Sequence, residues 1–217
     1  MQNAAAWCMI ETRGQTPWTS KRKDEGAMEE KWTQTAKELE DALWEMSRTI
    51  HQNPELGFEE HKAQSLCADL LEKEGFAVEK GTGGVETAFK ARFPLGNGQG
   101  PRVAFLAEYD GLPGLGHACG HNLIAGAAVG AGILLRRLAG DVNGEVVVMG
   151  TPAEEGGGGK VIMLENGAFD DVGYAIMMHP STENLVGRGG RATVKFDIAF
   201  HGKGCHSARP EKGINAL

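Results

Sequence analysis

Three short segments of the sequence carry side chains that can bind metal ions or move protons. The first is GHACGHN, a glycine-rich segment in which Cys119 and His121 alternate and can point to one side of an extended loop. Zinc and similar ions accept thiolate and imidazole ligands. A small buried cysteine beside incidental histidines in a tight turn would produce the same pattern, so this segment alone leaves both interpretations open.

The second segment, TPAEEGGGGK, places two adjacent carboxylates before four glycines. One of Glu154 and Glu155 can ligate a metal while its neighbour, pointing elsewhere, accepts a proton from a water molecule held there. An acidic pair stabilised by a helix N-terminus is the alternative. A phosphate-binding loop is excluded, because its pattern needs glycine in place of Glu154 and serine or threonine in place of Val161.

The third segment is MMHP, which follows an apolar run of the sequence. Its His179 stands before Pro180 and is either a metal ligand or a hydrogen-bonded structural residue. Asp110 stands before Gly111 and either forms a turn or holds a ligating imidazole in place. Taken together, the three segments offer enough donors for one or two metal ions, with one carboxylate free to activate water.

The hydrophobic pattern places these segments at one edge of a predicted sheet. Short apolar runs predict buried strands at 103–107, 145–149 and 174–178, with helices at 123–138 and 160–165 between them. This alternation is typical of an α/β fold with a mostly parallel sheet and helices on both faces. Ligands bind beyond the carboxyl ends of such strands, so the three segments are expected to meet there.

The pattern also predicts two helices and one strand before this unit, and a first segment without regular structure. Amphipathic helices are predicted at 32–50 and 59–74, and a half-exposed strand at 85–93. Residues 1–28 show no sustained period, and we interpret them as a poorly ordered leader.

A second domain is predicted to begin after residue 190. Val194, Phe196, Ile198 and Phe200 alternate with less apolar positions, which indicates a half-exposed strand beyond the glycine-rich turn at 187–190. A domain of this length could not bury a core of its own. We therefore expect the sequence to be incomplete.

Composition excludes several classes of protein. Of 217 residues, 41% are hydrophobic and 24% are charged, and the net charge of −7 argues against a nucleic-acid partner. The longest apolar run, 123–135, has 13 residues and is too short to span a bilayer, which needs about 20. No basic residue precedes the N-terminal apolar patch, and the four cysteines are widely spaced. These features predict reduced thiols, no membrane association and a cytoplasmic location.

From residue 36 onward the sequence resembles the co-catalytic metallopeptidases of clan MH, a family that includes aminoacylase, carboxypeptidase G and p-aminobenzoyl-glutamate hydrolase. The motifs that carry the resemblance are HQNPELGFEEHKA, AEYDGLPGLGHACGHN, GTPAEEGGGGK, MMHP and HGKGCHSARPEKGINAL. The resemblance implies a catalytic α/β domain, of which 29–188 is the N-terminal part, interrupted by a smaller α+β lid domain. Residues 189–217 would be the start of the lid domain, through which two subunits would form a homodimer. It also implies hydrolysis of the amide bond of a small N-acyl amino acid or dipeptide.

The resemblance further implies roles for individual residues. The implied ligands of two divalent metal ions, zinc or manganese with cobalt possible, are Cys119, His121, Glu155 and His179. Glu154 would be the general base and Asp110 would support the metal site. His206 would reach the substrate carbonyl, typically from the partner subunit of the dimer. The family's last metal-ligating histidine comes from a later part of the catalytic domain, and this chain ends before it.

Two alternatives to metal-dependent hydrolysis stay open at this point. Cys119 can be the nucleophile of a metal-free hydrolase, with His121 or His179 as its base. The chain can instead be an inactive, truncated fragment that binds metal or a partner without turnover. Activity that survives chelators but not a thiol alkylator would favour the cysteine mechanism.

Overall fold

The computed structural model of the protein describes residues 8–9, 25–187 and 196–217. In chain order the elements are β1 (Cys8–Met9), α1 (Glu25–Gln52), α2 (His61–Lys73), β2 (Ala77–Lys80), β3 (Phe89–Leu95), β4 (Arg102–Ala107), α3 (His121–Leu138), β5 (Gly144–Gly150), α4 (Gly159–Glu165) and β6 (Tyr174–Met177). Two short 3₁₀ helices lie at Thr82–Gly84 and Pro210–Lys212. Among the described helices, none combines the length and the apolar character that a membrane span requires.

The strands form one mixed sheet in the order β1-β6-β4-β5-β3-β2. Strand β4 pairs in parallel with β5 on one side and with β6 on the other. Strand β3 runs antiparallel to both β5 and β2, and β1 runs antiparallel to β6. The predicted α/β class is confirmed, and the parallel part of the sheet consists of the three apolar strands that the sequence pattern identified.

Helices cover both faces of the sheet, as predicted. Along β5, Val146 and Val148 belong to the apolar cluster that includes α1, α2 and α3. The alternate residues Val147 and Met149 belong to a second cluster with Met163 of α4. All four β5 side chains are fully buried, and burying each one stabilises the fold by roughly 1.5–3 kcal/mol. Strand β5 is therefore a rigid support for the loop that follows it.

Glycines let α3 pack closely against its neighbours. A Cβ atom at Gly132 would lie 2.3 Å from a methyl carbon of Val148, and one at Gly130 would lie 2.8 Å from the side chain of Leu43. These two positions place α3 tightly between β5 and α1. As a result the N-terminus of α3, which begins at His121, lies beside the loops that leave β4 and β5.

Two differences from the sequence-based expectations concern the strands beside β5. The predicted strand at 85–93 begins only at Phe89, because the preceding residues form a 3₁₀ helix at Thr82–Gly84 and a turn at 86–87. Strand β2, Ala77–Lys80, was not expected from the pattern. It exists because its backbone pairs with β3 along its whole length.

The two ends of the chain also differ from expectation. Cys8–Met9 form β1 and α1 begins at Glu25, whereas the rest of the proposed leader lies outside the described residues. The strand expected at 194–200 begins outside them too, and 196–200 adopt no strand. Among the described residues, no strand or bridge pairs with 196–200, so the alternating pattern has no ladder of hydrogen bonds to join. The domain boundary near 189 stays a prediction.

Candidate metal centre

The loops after β4 and β5, the N-terminus of α3 and the residues that follow β6 meet at one edge of the sheet. His121 at the start of α3 donates a hydrogen bond from Nδ1 to Asp110 Oδ1, at 2.8 Å. Its other nitrogen, Nε2, lies 3.8 Å from a carboxylate oxygen of Glu154 and 3.8 Å from one of Glu155. Cys119 Sγ lies 3.5 Å from His179 Nε2. The structure thus brings together six of the seven residues singled out in the sequence.

Cys119, His121 and His179 form a compact group of one sulfur and two nitrogen ligands. Their sulfur and nitrogen atoms all lie within 4.8 Å of one another. The His121 and His179 rings meet edge-on with their centroids 6.1 Å apart. His179 Nδ1 contacts the carbonyl oxygen of Pro180 at 2.8 Å, which leaves Nε2 directed at the sulfur. Thiolate and imidazole ligands in this arrangement suit zinc and related ions.

The thiol of Cys119 needs a cation nearby in order to ionise. Burial, followed by a hydrogen bond with Glu155 and the negative charges of Glu154 and Glu108, raises the pKa of Cys119 to about 12. A nucleophilic cysteine requires a lowered pKa instead. The surroundings therefore argue against the metal-free cysteine hydrolase and favour a thiol that ionises only when it binds a metal.

Unpartnered buried atoms provide a test of whether a divalent cation fits. His121 Nε2 is buried without a hydrogen-bond partner among the described residues, and so is Glu108 Oε2, 3.4 Å away. A buried polar atom left in this state costs about 1–3 kcal/mol. Although burial alone would lower the pKa of His121, the hydrogen bond to Asp110 and the charges of Glu108 and Glu155 raise it. The site thus favours positive charge, and the donors present fit a divalent cation.

Asp110 orients the histidine and the loop after β5 at the same time. Its Oδ1 accepts the hydrogen bond from His121, and its Oδ2 accepts one from the backbone N–H of Glu155 at 2.9 Å. Burial would raise the pKa of Asp110, but the hydrogen bonds from His121 and Glu155 outweigh it and lower the pKa. Asp110 is therefore an ionised acceptor that fixes the tautomer of His121, with Nε2 available as a ligand.

Glu154 is the more exposed of the two adjacent carboxylates, with 43% of its side chain accessible against 22% for Glu155. Burial of part of the group, together with the negative charge of Glu108, raises the pKa of Glu154. A carboxylate with a raised pKa at the open side of a metal site is suited to accept a proton from water.

Two residues at this edge, Glu108 and Lys160, were not predicted from the sequence. The Glu108 side chain is only 1% exposed and forms an ion pair with Lys160 at the start of α4. The carboxylate of Glu108 also forms a second group with His121 and Glu154, whose ligand atoms lie within 4.8 Å of one another. One signal was present in the sequence: Glu108 stands two positions before Asp110, so the two can project to the same side of the strand end.

His206 is the one predicted site residue that the structure does not bring to this edge. It lies in an exposed turn, where its Nδ1 accepts a hydrogen bond from the backbone N–H of Ala208 at 3.2 Å. The hydrogen bonds that the structure describes for 196–217 all stay within that segment. The role of His206 stays a prediction.

Comparison with known proteins identifies relatives of this arrangement. Residues 104–211 match the model of Peptidase family M20/M25/M40. The Xaa-Arg dipeptidase of Mus musculus is 40% identical over 214 residues, which cover 93% of this chain and 49% of the relative. A p-aminobenzoyl-glutamate hydrolase chain of Escherichia coli is 34% identical over 201 residues, covering 83% of this chain and 40% of the relative. The chain thus spans about half the length of these curated relatives.

A solved structure agrees with these sequence matches. A Bacillus subtilis protein described as a dinuclear metal binding peptidase from the M20 family is 29% identical and superposes with a TM-score of 0.57. The match covers 63% of this chain and 42% of the Bacillus subtilis chain. The segment matched by the family model runs from β4 to beyond β6 and so contains every residue of the candidate metal centre. Because sequence, fold and site agree, the chain belongs to the peptidase family M20/M25/M40.

Proposed function

We propose that the protein is a metal-dependent hydrolase that cleaves the amide bond of a small N-acyl amino acid or dipeptide. The observation that carries the proposal is the convergence of a thiol, two imidazoles and two carboxylates at one edge of the sheet. Relatives named as a dipeptidase and a p-aminobenzoyl-glutamate hydrolase support the substrate class. Because this chain spans about half of their length, the activity is proposed for the full-length protein.

The proposed ligands of two divalent ions are Cys119, His121, Glu155 and His179. The contact between Cys119 Sγ and His179 Nε2 supports this set, as does the unpartnered Nε2 of His121. A mixture of soft and hard ligands favours zinc or manganese, with cobalt as a further candidate. When bound, such ions would polarise the scissile carbonyl and lower the pKa of a water ligand towards about 7.

Glu154 is proposed to accept the proton of the attacking water and to pass it to the leaving amine. Its partial exposure and raised pKa support this role, because the carboxylate can reach both solvent and the site. Asp110 is proposed to hold His121 and the backbone of Glu155 in place during this transfer. His206 is proposed to stabilise the developing oxyanion from the partner subunit of a homodimer that forms through the lid domain.

We also propose that the protein works in the cytoplasm. The three cysteines whose surroundings are described, Cys67, Cys119 and Cys205, all carry free thiols, which supports a reducing compartment.

The test is the substitution Glu154→Gln in the full-length protein. It should leave the metal content unchanged by elemental analysis and lower the turnover of N-acyl amino acids and dipeptides by roughly 10²- to 10⁴-fold, since it removes only the base. The matched control is Glu165→Gln at the exposed end of α4, which should keep both properties. A Glu154→Gln variant with a wild-type rate would show that another group is the base. A wild-type protein with one metal or none and no hydrolysis would identify a non-catalytic binding module.

A further inference from the structure

The motif HQNPELGFEEHKA plays no part in the proposed chemistry, yet it contacts both loops that do. Its residues 53–60 form the connection between α1 and α2, which we name the brace. The backbone N–H of Gly111 donates to the carbonyl oxygen of Glu55 at 2.8 Å. The backbone N–H of Ala153 donates to Glu60 Oε1, also at 2.8 Å. Because Gly111 directly follows Asp110 and Ala153 directly precedes Glu154, the brace holds the two site-bearing loops together.

Glu60 is a fully buried carboxylate with both of its oxygens in use. Its second oxygen accepts a hydrogen bond from the Thr87 hydroxyl at 2.8 Å. The carbonyl oxygen of Thr87 in turn accepts a hydrogen bond at 2.6 Å from the hydroxyl of Tyr109, the residue that precedes Asp110 in the chain. Removing a carboxylate from water is costly unless hydrogen bonds replace its solvation. The two donors that replace the lost solvation of Glu60 are the Thr87 hydroxyl, in the segment before β3, and the Ala153 N–H, in the loop before Glu154.

Ala153 has a backbone conformation that needs such support. Its φ angle of +57° lies in the left-handed region, which is strained for a residue with a Cβ atom. Glycines make room for its buried methyl group: a Cβ at Gly57 would lie 3.0 Å from that methyl carbon, and one at Gly157 would lie 3.1 Å from it. A Cβ at Gly157 would also lie 2.1 Å from a ring carbon of Phe58. The absence of side chains at Gly57 and Gly157 therefore allows the loop before Glu154 to pack closely against the brace.

We propose that Glu60 is a positioning residue, whose carboxylate fixes Ala153 in its left-handed conformation and thereby directs Glu154 towards the metal centre. The inference rests on the proposed function for the role of Glu154. Its structural part, the restraint of the loop by Glu60, stands on the hydrogen bond and the packing alone.

The test compares two substitutions of similar size and equal charge, Glu60→Met and Glu60→Gln. Glutamine keeps an oxygen that can accept the Ala153 N–H, whereas methionine does not. In the full-length protein, Glu60→Met should lower kcat by about 100-fold with KM and metal content nearly unchanged, because the base is displaced. Glu60→Gln should restore most of kcat.

Gln64→Met is the matched control. Gln64 lies on α2, is 5% exposed, and donates from Nε2 to the carbonyl oxygens of Glu86 and Ala88 at 2.8 Å each. Its replacement removes buried hydrogen bonds close to Glu60 without touching the loop before Glu154. It should lower the melting temperature about as much as Glu60→Met does and leave kcat unchanged. Equal losses of kcat in both methionine variants would overturn the proposal, since general destabilisation would explain them.

Hydrogen exchange at the Ala153 amide tests the restraint without any activity. In the wild-type chain this amide should exchange slowly, and Glu60→Met should accelerate it about tenfold while Glu60→Gln does not. Fast exchange at Ala153 in the folded wild type would overturn the proposal even if the methionine variant could not be folded. If the full-length protein hydrolyses no substrate, the proposed function fails, and the exchange experiment still decides whether Glu60 holds the loop.

Discussion

Residues 25–187 and residues 196–217 differ in what surrounds their apolar side chains. In the first region Leu71 and Ile133 are fully buried within one continuous cluster. In the second, Phe196, Ile198 and Phe200 are 80%, 75% and 64% exposed, although they alternate as strand residues do. The difference teaches that an alternating pattern specifies a strand only where another backbone lies beside it to complete the hydrogen bonds.

The same contrast separates the proposed site residues. His121 is fully buried and held by Asp110 from one side, so its position follows from the fold of the chain itself. His206 is exposed and held only by neighbours in its own turn, within the part of the chain that the structure describes. The fold of the described residues therefore fixes the position of His121 at the candidate site, whereas the role of His206 stays a prediction.

The largest effect is expected for Leu71→Ala in α2. This side chain is fully buried in the main cluster, so its truncation leaves a cavity and should lower the free energy of unfolding by about 2–5 kcal/mol. Urea denaturation followed by circular dichroism measures the change. Leu164→Ala, at a position 60% exposed on α4, is the control and should cost far less. Equal losses for the two variants would show that the main cluster is not the core of the first region.

A smaller effect is expected for Asp110→Asn. An asparagine can still accept the hydrogen bond from His121, but its amide group would then face the N–H of Glu155, and two donors cannot bond to each other. The affinity for zinc should fall about 10- to 100-fold. Competition with a chromogenic chelator measures it, with the exposed Asp170→Asn as control. An unchanged affinity would mean that Asp110 does not orient the ligands.

The smallest effect is expected for Ile198→Ala. With 75% of the residue exposed, its truncation should change the free energy of unfolding of this chain by less than about 0.5 kcal/mol. The same urea titration provides the measurement. A loss as large as that of Leu71→Ala would break the comparison, because it would require 196–217 to be packed into the core.

Elements with a sustained hydrophobic period were predictable from the sequence. The helix expected at 59–74 is observed at His61–Lys73, and the strand expected at 145–149 is observed at Gly144–Gly150. Strand β2 was not predictable, because a segment of four mostly exposed residues has little pattern of its own and depends on pairing with β3. The antiparallel position of β3 beside β5 likewise depends on contacts that local sequence does not encode.

The edge at which the candidate site lies was predictable for a physical reason, whereas its internal contacts were not. Cys119, His121 and Glu154 could be located together because each follows a strand of one sheet. The ion pair of Glu108 with Lys160 joins residues 52 positions apart, and the hydrogen bond of Glu60 with Ala153 joins residues 93 positions apart. Local spacing contains no information about such distant partners.

The packing of the Phe58 ring against Gly157 has a consequence for how sequences of this kind can diverge. A Cβ atom at position 157 would overlap the outer carbons of that ring, and because Phe58 is 43% exposed, a variant that acquires a side chain there should displace the ring from the loop into solvent. A larger residue at position 157 should therefore be found more often together with a smaller residue at position 58, although neither position has a role in the proposed reaction.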